Sequence, residues 1–290
     1  MSKQAQVDVP AAVYKRQMRK FLIAVLLFPL FPLLPLTAMA QAAPAPRQPD
    51  LRDLMQHVIQ RAQWEKENKL DTRYRWRQNR VVEKYDQDGN IQDRTELLFE
   101  VIPAADKTTY HMLAKNGRPL SGGEQKAEED KEAKSTASLK NTKQSAKDQS
   151  VAIDADLLSR FTFAYAGEEA VAGRKAYVLS FTPKPGPLPE TRRMDRVLNH
   201  LRGQVWVDQQ TYAVSKVDMA LTEPVKYFAG LGVVRSMHLK IEMTALDKNV
   251  MVPQQTWVEY DARALFTNTK VHQHSVYSSY QPLTTTAAQR

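Results

Sequence analysis

The chain has 290 residues, 42% of them hydrophobic and 25% charged, which is a globular composition with length enough for one large domain or two small ones. With 0 cysteines it can hold no thiol nucleophile, thiolate metal site, disulfide framework or lipobox for a lipid anchor. Of the net charge of +9, Met1 to Ala40 holds +4 through Lys3, Lys15, Arg16, Arg19 and Lys20 against Asp8; the remaining +5 suits transient contact with an anionic membrane surface but is far below a nucleic-acid footprint.

Residues 1–40 read as a cleavable secretory signal peptide: a basic start ending at Arg19-Lys20, an apolar run from Phe21 to Leu36, and Ala38-x-Ala40 as the cleavage site. Pro29, Pro32 and Pro35 would break a spanning helix. The mature chain is therefore expected to be soluble in the cell envelope, in the periplasm. Residues 41–49 form a Pro/Ala linker, and residues 50–290 read as one domain. Its first element is an amphipathic helix over about Leu51 to Lys66, capped by Asp50, with Leu51, Leu54, Met55, Val58 and Ala62 on one stripe.

Strand periodicity follows. Thr72–Tyr85, Gln92–Ile102 and Thr108–Lys115 are predicted strands, separated by turn residues at Asp88-Gly89-Asn90 and closed by Asn116-Gly117. The first of them carries Arg73, Arg75, Arg77 and Arg80 with Tyr74 and Trp76 interleaved. Arg73, Arg75 and Arg77 share one parity and the aromatics the other, which predicts a polar outer face and an apolar inner one rather than a nucleic-acid surface.

Residues 121–150 hold six acids and six lysines with Leu139 as their one large apolar side chain, the composition of a charged, solvated insertion that cannot bury enough surface to order itself, part helix and part disorder. A helical turn at Asp154–Ser159 precedes two strands marked by Phe161, Phe163, Tyr165 and by Tyr177, Leu179, Phe181, with Gly167–Gly173 as the connection. Pro183–Pro189 breaks the sheet. A second amphipathic helix is expected through Met194, Val197, Leu198 and Leu201, ended by Gly203, with Arg192, Arg193, Arg196 and Arg202 near its outer face.

The clearest hairpin spans Gly203 to Glu223. Val205 and Val207 alternate with Gln204, Trp206 and Asp208, Gln209-Gln210-Thr211 makes the link, and the second strand runs through Met219 and Leu221. After an apolar, glycine-bearing loop with Tyr227, Phe228 and Leu231, the residues Met237, Leu239, Ile241 and Met243 alternate with His238, Lys240, Glu242 and Thr244. Strands at about Pro253–Phe266 and Thr269–Tyr280 complete a sheet of nine or ten strands. The fold class predicted is mainly β with helices (α+β): a large curved antiparallel sheet, an open half-barrel, with amphipathic helices covering its concave face.

No catalytic signature accompanies this pattern. There is no G-x-S-x-G, H-E-x-x-H, phosphate loop or G-x-G-x-x-G. His272 and His274 share a strand face, which His238 could join; without a carboxylate and oriented partners they read as surface residues, and no metal or cofactor is expected. Asp208 and Asp218 form a candidate carboxylate pair, with Asp208 at a turn, where aspartate is ordinary. The inward residues fit either a core packed by two helices or a cavity for a ligand; methionines 219, 237 and 243 would let such a cavity adapt.

In the order of its elements, and in the Gly203-x-Val205-Trp206-Val207-Asp208 turn into Tyr212-Ala-Val-Ser-Lys-Val, the chain resembles the LolA/LolB/RseB-like superfamily of envelope lipoprotein carriers and sensors. The resemblance extends over Leu51–Tyr280 in layout and over Leu201–Leu221 in motif. It implies an open antiparallel half-barrel whose hydrophobic cavity accepts the acyl chains of lipids or lipoproteins without enzymatic chemistry. The inner-face residues Phe181, Val205, Val207, Met219, Leu221, Met237, Leu239, Ile241 and Met243 are the expected cavity lining, and Tyr227, Phe228 and Leu231 the expected gate. An envelope-stress sensor or scaffold of the RseB kind, with an envelope protein as partner, is the alternative, and a hydrolase without a legible motif the second. The charged insertion departs from the superfamily, and the absent lipobox cysteine excludes its membrane-anchored receptor.

Overall fold

The computed structural model describes residues 48–104, 108–128, 130–131, 153–192, 194–227, 232–265 and 267–283. The expected signal peptide, most of the linker, most of the charged insertion, and Phe228 and Leu231 of the expected gate lie outside the described residues.

Helix α1 (Leu51–Glu67) begins where Asp50 accepts hydrogen bonds from the amides of Arg52 and Asp53, satisfying donors that have no partner within the helix. Leu54 and Val58 on its apolar stripe are buried against the sheet. Twelve strands follow among the described residues: β1 (Tyr74–Tyr85), β2 (Ile91–Ile102), β3 (Thr109–Lys115), β4 (Arg118–Pro119), β5 (Phe161–Val171), β6 (Arg174–Pro183), β7 (Leu201–Asp208), β8 (Val214–Leu221), β9 (Val225–Tyr227), β10 (Gly232–Ala245), β11 (Met251–Ala264) and β12 (Thr267–Pro282). Two short helices, α2 (Ala155–Ser159) and α3 (Asp195–Leu198), lie between strands, and residues 122–128 are helical, opened by the capping box of Ser121 and Glu124.

All strands belong to one antiparallel sheet in the order β4-β3-β2-β1-β12-β11-β10-β8-β7-β6-β5, with β9 added to β10. Two meanders are thus joined by pairing the first long strand with the last, as in Arg80 opposite Ser275. The sheet does not close on itself, since β4 and β5 are its two edges. It does curl. Phe163 of β5 and Ile241 of β10 line one cavity although four strand spacings, about 19 Å in a flat sheet, separate their strands. The predicted open, curved antiparallel sheet with helical cover is therefore present, with more strands than the nine or ten expected. β4 and β9, two and three residues long, carry too little periodicity to be read.

Two other expectations are corrected. The second amphipathic helix is a single turn: α3 stops at Leu198, and Leu201 and Gly203 belong to β7. Its apolar stripe is nonetheless buried, because Val197 and Leu198 from the turn and Leu201 from the strand converge on Phe161 and Phe181. Gly203 ends no helix; a Cβ there would lie 2.0 Å from the Asp218 carbonyl oxygen. The connection expected over Gly167–Gly173 is instead a bulge at Gly167 inside β5 and a two-residue turn, Ala172-Gly173, with both φ angles positive. Trp206 is buried on the outer face of the sheet. On the opposite face from Val205 and Val207 it is 3% exposed, packed with Ala176 and Val178, donating from Nε1 to Glu169 at 2.8 Å beneath the Lys216 ammonium. Burying its large aromatic surface gives the outer face a small core of its own.

Candidate functional site: an apolar cavity under the first helix

Cross-strand partners in an antiparallel sheet share a face. Leu179, Val205, Val217 and Ile241 form one such row across β6, β7, β8 and β10. Together with Phe181, Val207 and Met219 they make an apolar floor, roofed by Met55 and Val58 of α1 and by Leu157 of α2. Between floor and roof lies a cavity of about 270 Å³ whose described lining contains no polar side chain. A second lobe of about 230 Å³ adjoins it, sharing Val58, Ile153, Val214, Val217 and Ile241. Its far side is polar, with Arg61, Glu65 and Tyr212.

That rim is held in place. Arg61 donates to Glu65 at 2.8 Å and to the Asn249 carbonyl, which ties α1 to the loop before β11, and its guanidinium lies 4.4 Å from the Trp64 ring. Tyr212 stacks on His57 at 4.5 Å. The site is therefore amphipathic end to end, apolar beneath α1 and α2 and charged beside Arg61.

Of the residues expected to line a cavity, Phe181, Val205, Val207, Met219 and Ile241 line the apolar lobe, and Ile241 and Met243 the second. Leu221 and Met237 instead pack on the cluster around Phe161 and Val197, while Leu239 shares the face, opposite Met219, but borders neither lobe. Tyr227 of the expected gate also packs on that cluster, with Arg196 at 6.0 Å from its ring. The arginines expected as a basic outer face are partly neutralised: Arg192 pairs with Asp195 and Arg196 with Glu190. Leu157, Phe161, Phe163 and Val217 line the apolar lobe as well, without having been expected to; the alternation of Phe161 and Phe163 is visible in the sequence, but nothing local shows that β5 curls round to the same cavity.

The candidate carboxylate pair is not brought together, and each member is tied elsewhere. Asp208 lies opposite Ala176 on β6 and Asp218 opposite Gln204 on β7. Burial alone would raise the Asp208 pKa, but two hydrogen bonds from Arg174, at 2.7 and 2.8 Å, and those from Thr211 hold it down to about 2. Asp218 lies 2.7 Å from His238. His272 packs on Tyr85 and His274 stacks on Trp257, and among the described residues no group of three His, Asp or Glu could hold a metal ion. No helix among the described residues is long and apolar enough to cross a membrane.

No protein-family model and no curated protein matches the chain. Solved structures to which it is similar include a DUF1329 family protein from Desulfovibrio piger, at 12% identity over 83% of this chain and 96% of that one with a TM-score of 0.32. A LolA superfamily protein from Nitrosomonas europaea matches at 12% identity over 78% of this chain and 92% of that one, with a TM-score of 0.27. The MucA/MucB complex of Pseudomonas aeruginosa matches at 12% identity over 79% and 99%, with a TM-score of 0.22. Likeness at this level assigns no ligand and no activity to the chain.

Proposed function

We propose that the protein is a non-enzymatic carrier or binding protein for the acyl chains of lipids or lipoproteins, acting in the periplasm. The observation that supports this reading is the cavity under α1, whose described lining is wholly apolar and whose adjoining lobe carries the charged side chains of Arg61 and Glu65. At about 30 Å³ per water-sized group the apolar lobe takes about nine methylenes. Their transfer from water is worth about 7 kcal/mol, at about 0.8 kcal/mol each. The second lobe nearly doubles this. After an association cost of about 4 kcal/mol or more, a chain occupying both lobes is expected to bind in the micromolar range. Shielding an apolar chain needs no reacting group, and the described residues of the lobe offer none.

Titration with a fluorescent fatty acid tests the reading. Wild type is expected to bind one molecule per chain, and Val217→Trp, which puts an indole between the lobes, to lose at least about tenfold in affinity while keeping its fold. Absence of binding by the wild type, or equal binding by the variant, would sink the proposal.

A further inference from the structure

The apolar row on the inner face does not end at Ile241. Through successive pairings it continues to Thr256 on β11, Ser275 on β12 and Arg80 on β1. Arg80 thus stands on the same face as the cavity floor, three strand spacings or about 14 Å beyond Ile241. Ser275 in the middle of the row is fully buried, so what the row offers is an apolar end at the cavity and a cationic end at Arg80.

Arg80 is held by aromatic rings and a neutral amide rather than by a carboxylate. Its guanidinium lies 5.0 Å from the Phe99 ring and 5.9 Å from that of Tyr110, and one of its amino groups donates to Gln78 at 3.2 Å. Gln78 is itself 4% exposed and contacts the Tyr277 hydroxyl at 3.5 Å. No carboxylate among the described residues pairs with Arg80, and its Nε is buried without a hydrogen-bond partner. Trp76 lies on the same face of β1, and its indole Nε1 is likewise buried and unpartnered. Phe99 lies opposite Gln78, and Tyr110 opposite Val101, the partner of Trp76, so the Arg80 side chain runs back along β1 toward Trp76. Buried donors without acceptors are costly, and both of these accept nothing themselves. An oxyanion would satisfy them, and a guanidinium over aromatic faces is suited to a carboxylate or phosphate.

We infer that Arg80, with Trp76 and Gln78, forms an oxyanion subsite for the carboxylate or phosphate head of an acyl amphiphile whose tail crosses the inner face toward the cavity. The inference rests on the acyl-binding reading. Calorimetric titration with hexadecanoate, 1-hexadecanol and inorganic phosphate separates the two, the sixteen-carbon chain being long enough to reach from Arg80 into the cavity. Wild type is expected to prefer hexadecanoate over hexadecanol by about 10- to 100-fold, less at high salt. Arg80→Gln should lose that preference with hexadecanol affinity unchanged, which also shows that the variant is folded. Trp76→Phe, which keeps the ring and removes one donor, should lose part of it. Inorganic phosphate alone should bind far more weakly than hexadecanoate, since it has no tail. If wild type binds hexadecanoate and hexadecanol equally, or Arg80→Gln keeps the preference, the subsite is refuted and the cavity stands. Tight phosphate binding without hexadecanoate binding would show a free-anion site and refute the amphiphile assignment. If wild type binds neither hexadecanoate nor hexadecanol, the cavity reading falls and the inference with it.

Discussion

Replacing Asp208 by Asn should destabilise the protein near neutral pH and remove most of one acid-labile contribution to its stability. Asp208 is 1% exposed and closes the turn between β7 and β8, accepting two hydrogen bonds from Arg174 and others from Gln210 and Thr211. Its folded pKa of about 2, against roughly 3.9 in an unfolded chain, corresponds to about 2 to 3 kcal/mol. Because the folded value is the lower one, the contribution is complete above about pH 4 to 5 and is lost as the pH falls through 2. Asparagine keeps the shape and one acceptor but leaves the Arg174 guanidinium, only 20% exposed, without its counter-charge. Urea unfolding of both proteins across this range is the assay. The stability gap should be about 3 kcal/mol at pH 7 and shrink to less than 1 near pH 2. A gap that stays constant from pH 7 to pH 2 would refute the account of how this turn is held.

Two further substitutions probe the scaffold around the cavity. Gly203→Ala should cost about 3 kcal/mol or more, measured as a fall in the urea midpoint, because the new methyl meets the Asp218 and Met219 backbone and neither strand can move without breaking the β7–β8 ladder; a change below 1 kcal/mol would contradict it. Asp50→Ala removes the cap of α1 and should cost about 1 kcal/mol, with faster amide hydrogen exchange confined to the first turn and no change in the sheet.

Much of the sheet is legible because one-sided burial writes period two into the chain. Met237, Leu239, Ile241 and Met243 announce β10, and Asn116-Gly117 and Asp88-Gly89-Asn90 announce turns that only such residues make cheaply. What escapes local reading is what depends on distant partners. Met194, Val197, Leu198 and Leu201 have helical spacing, yet Leu201 reaches the same core from a strand because its place opposite Leu221 decides its geometry. Trp206 has the parity of an outward residue and is outward, but Ala176 and Val178 from β6 cover it. The pairing of β1 with β12 leaves no local trace, since it joins residues nearly two hundred positions apart. Arg80 was recoverable: its even number sets it with Trp76 and Gln78 rather than with Arg73, Arg75 and Arg77, so the alternation that explains three arginines as outward places the fourth inside.

The site was half legible for the same reason. Val205, Val207, Met219 and Ile241 follow from alternation once a concave face is assumed, whereas the contribution of β5 and α2 follows only from the curl of the sheet. That a cavity remains, rather than a filled core, depends on how closely α1 approaches the floor, and this is set by Leu54 and Val58 meeting Leu179 and Val207.

The central claim is that the inner face holds an acyl chain. Mass spectrometry of an organic extract of the protein purified from the cell envelope tests it most directly. The extract is expected to contain an acyl amphiphile with an oxyanion head, near one per chain and depleted in Val217→Trp. An extract free of acyl species, from wild-type protein that also takes up none when they are added, would contradict it.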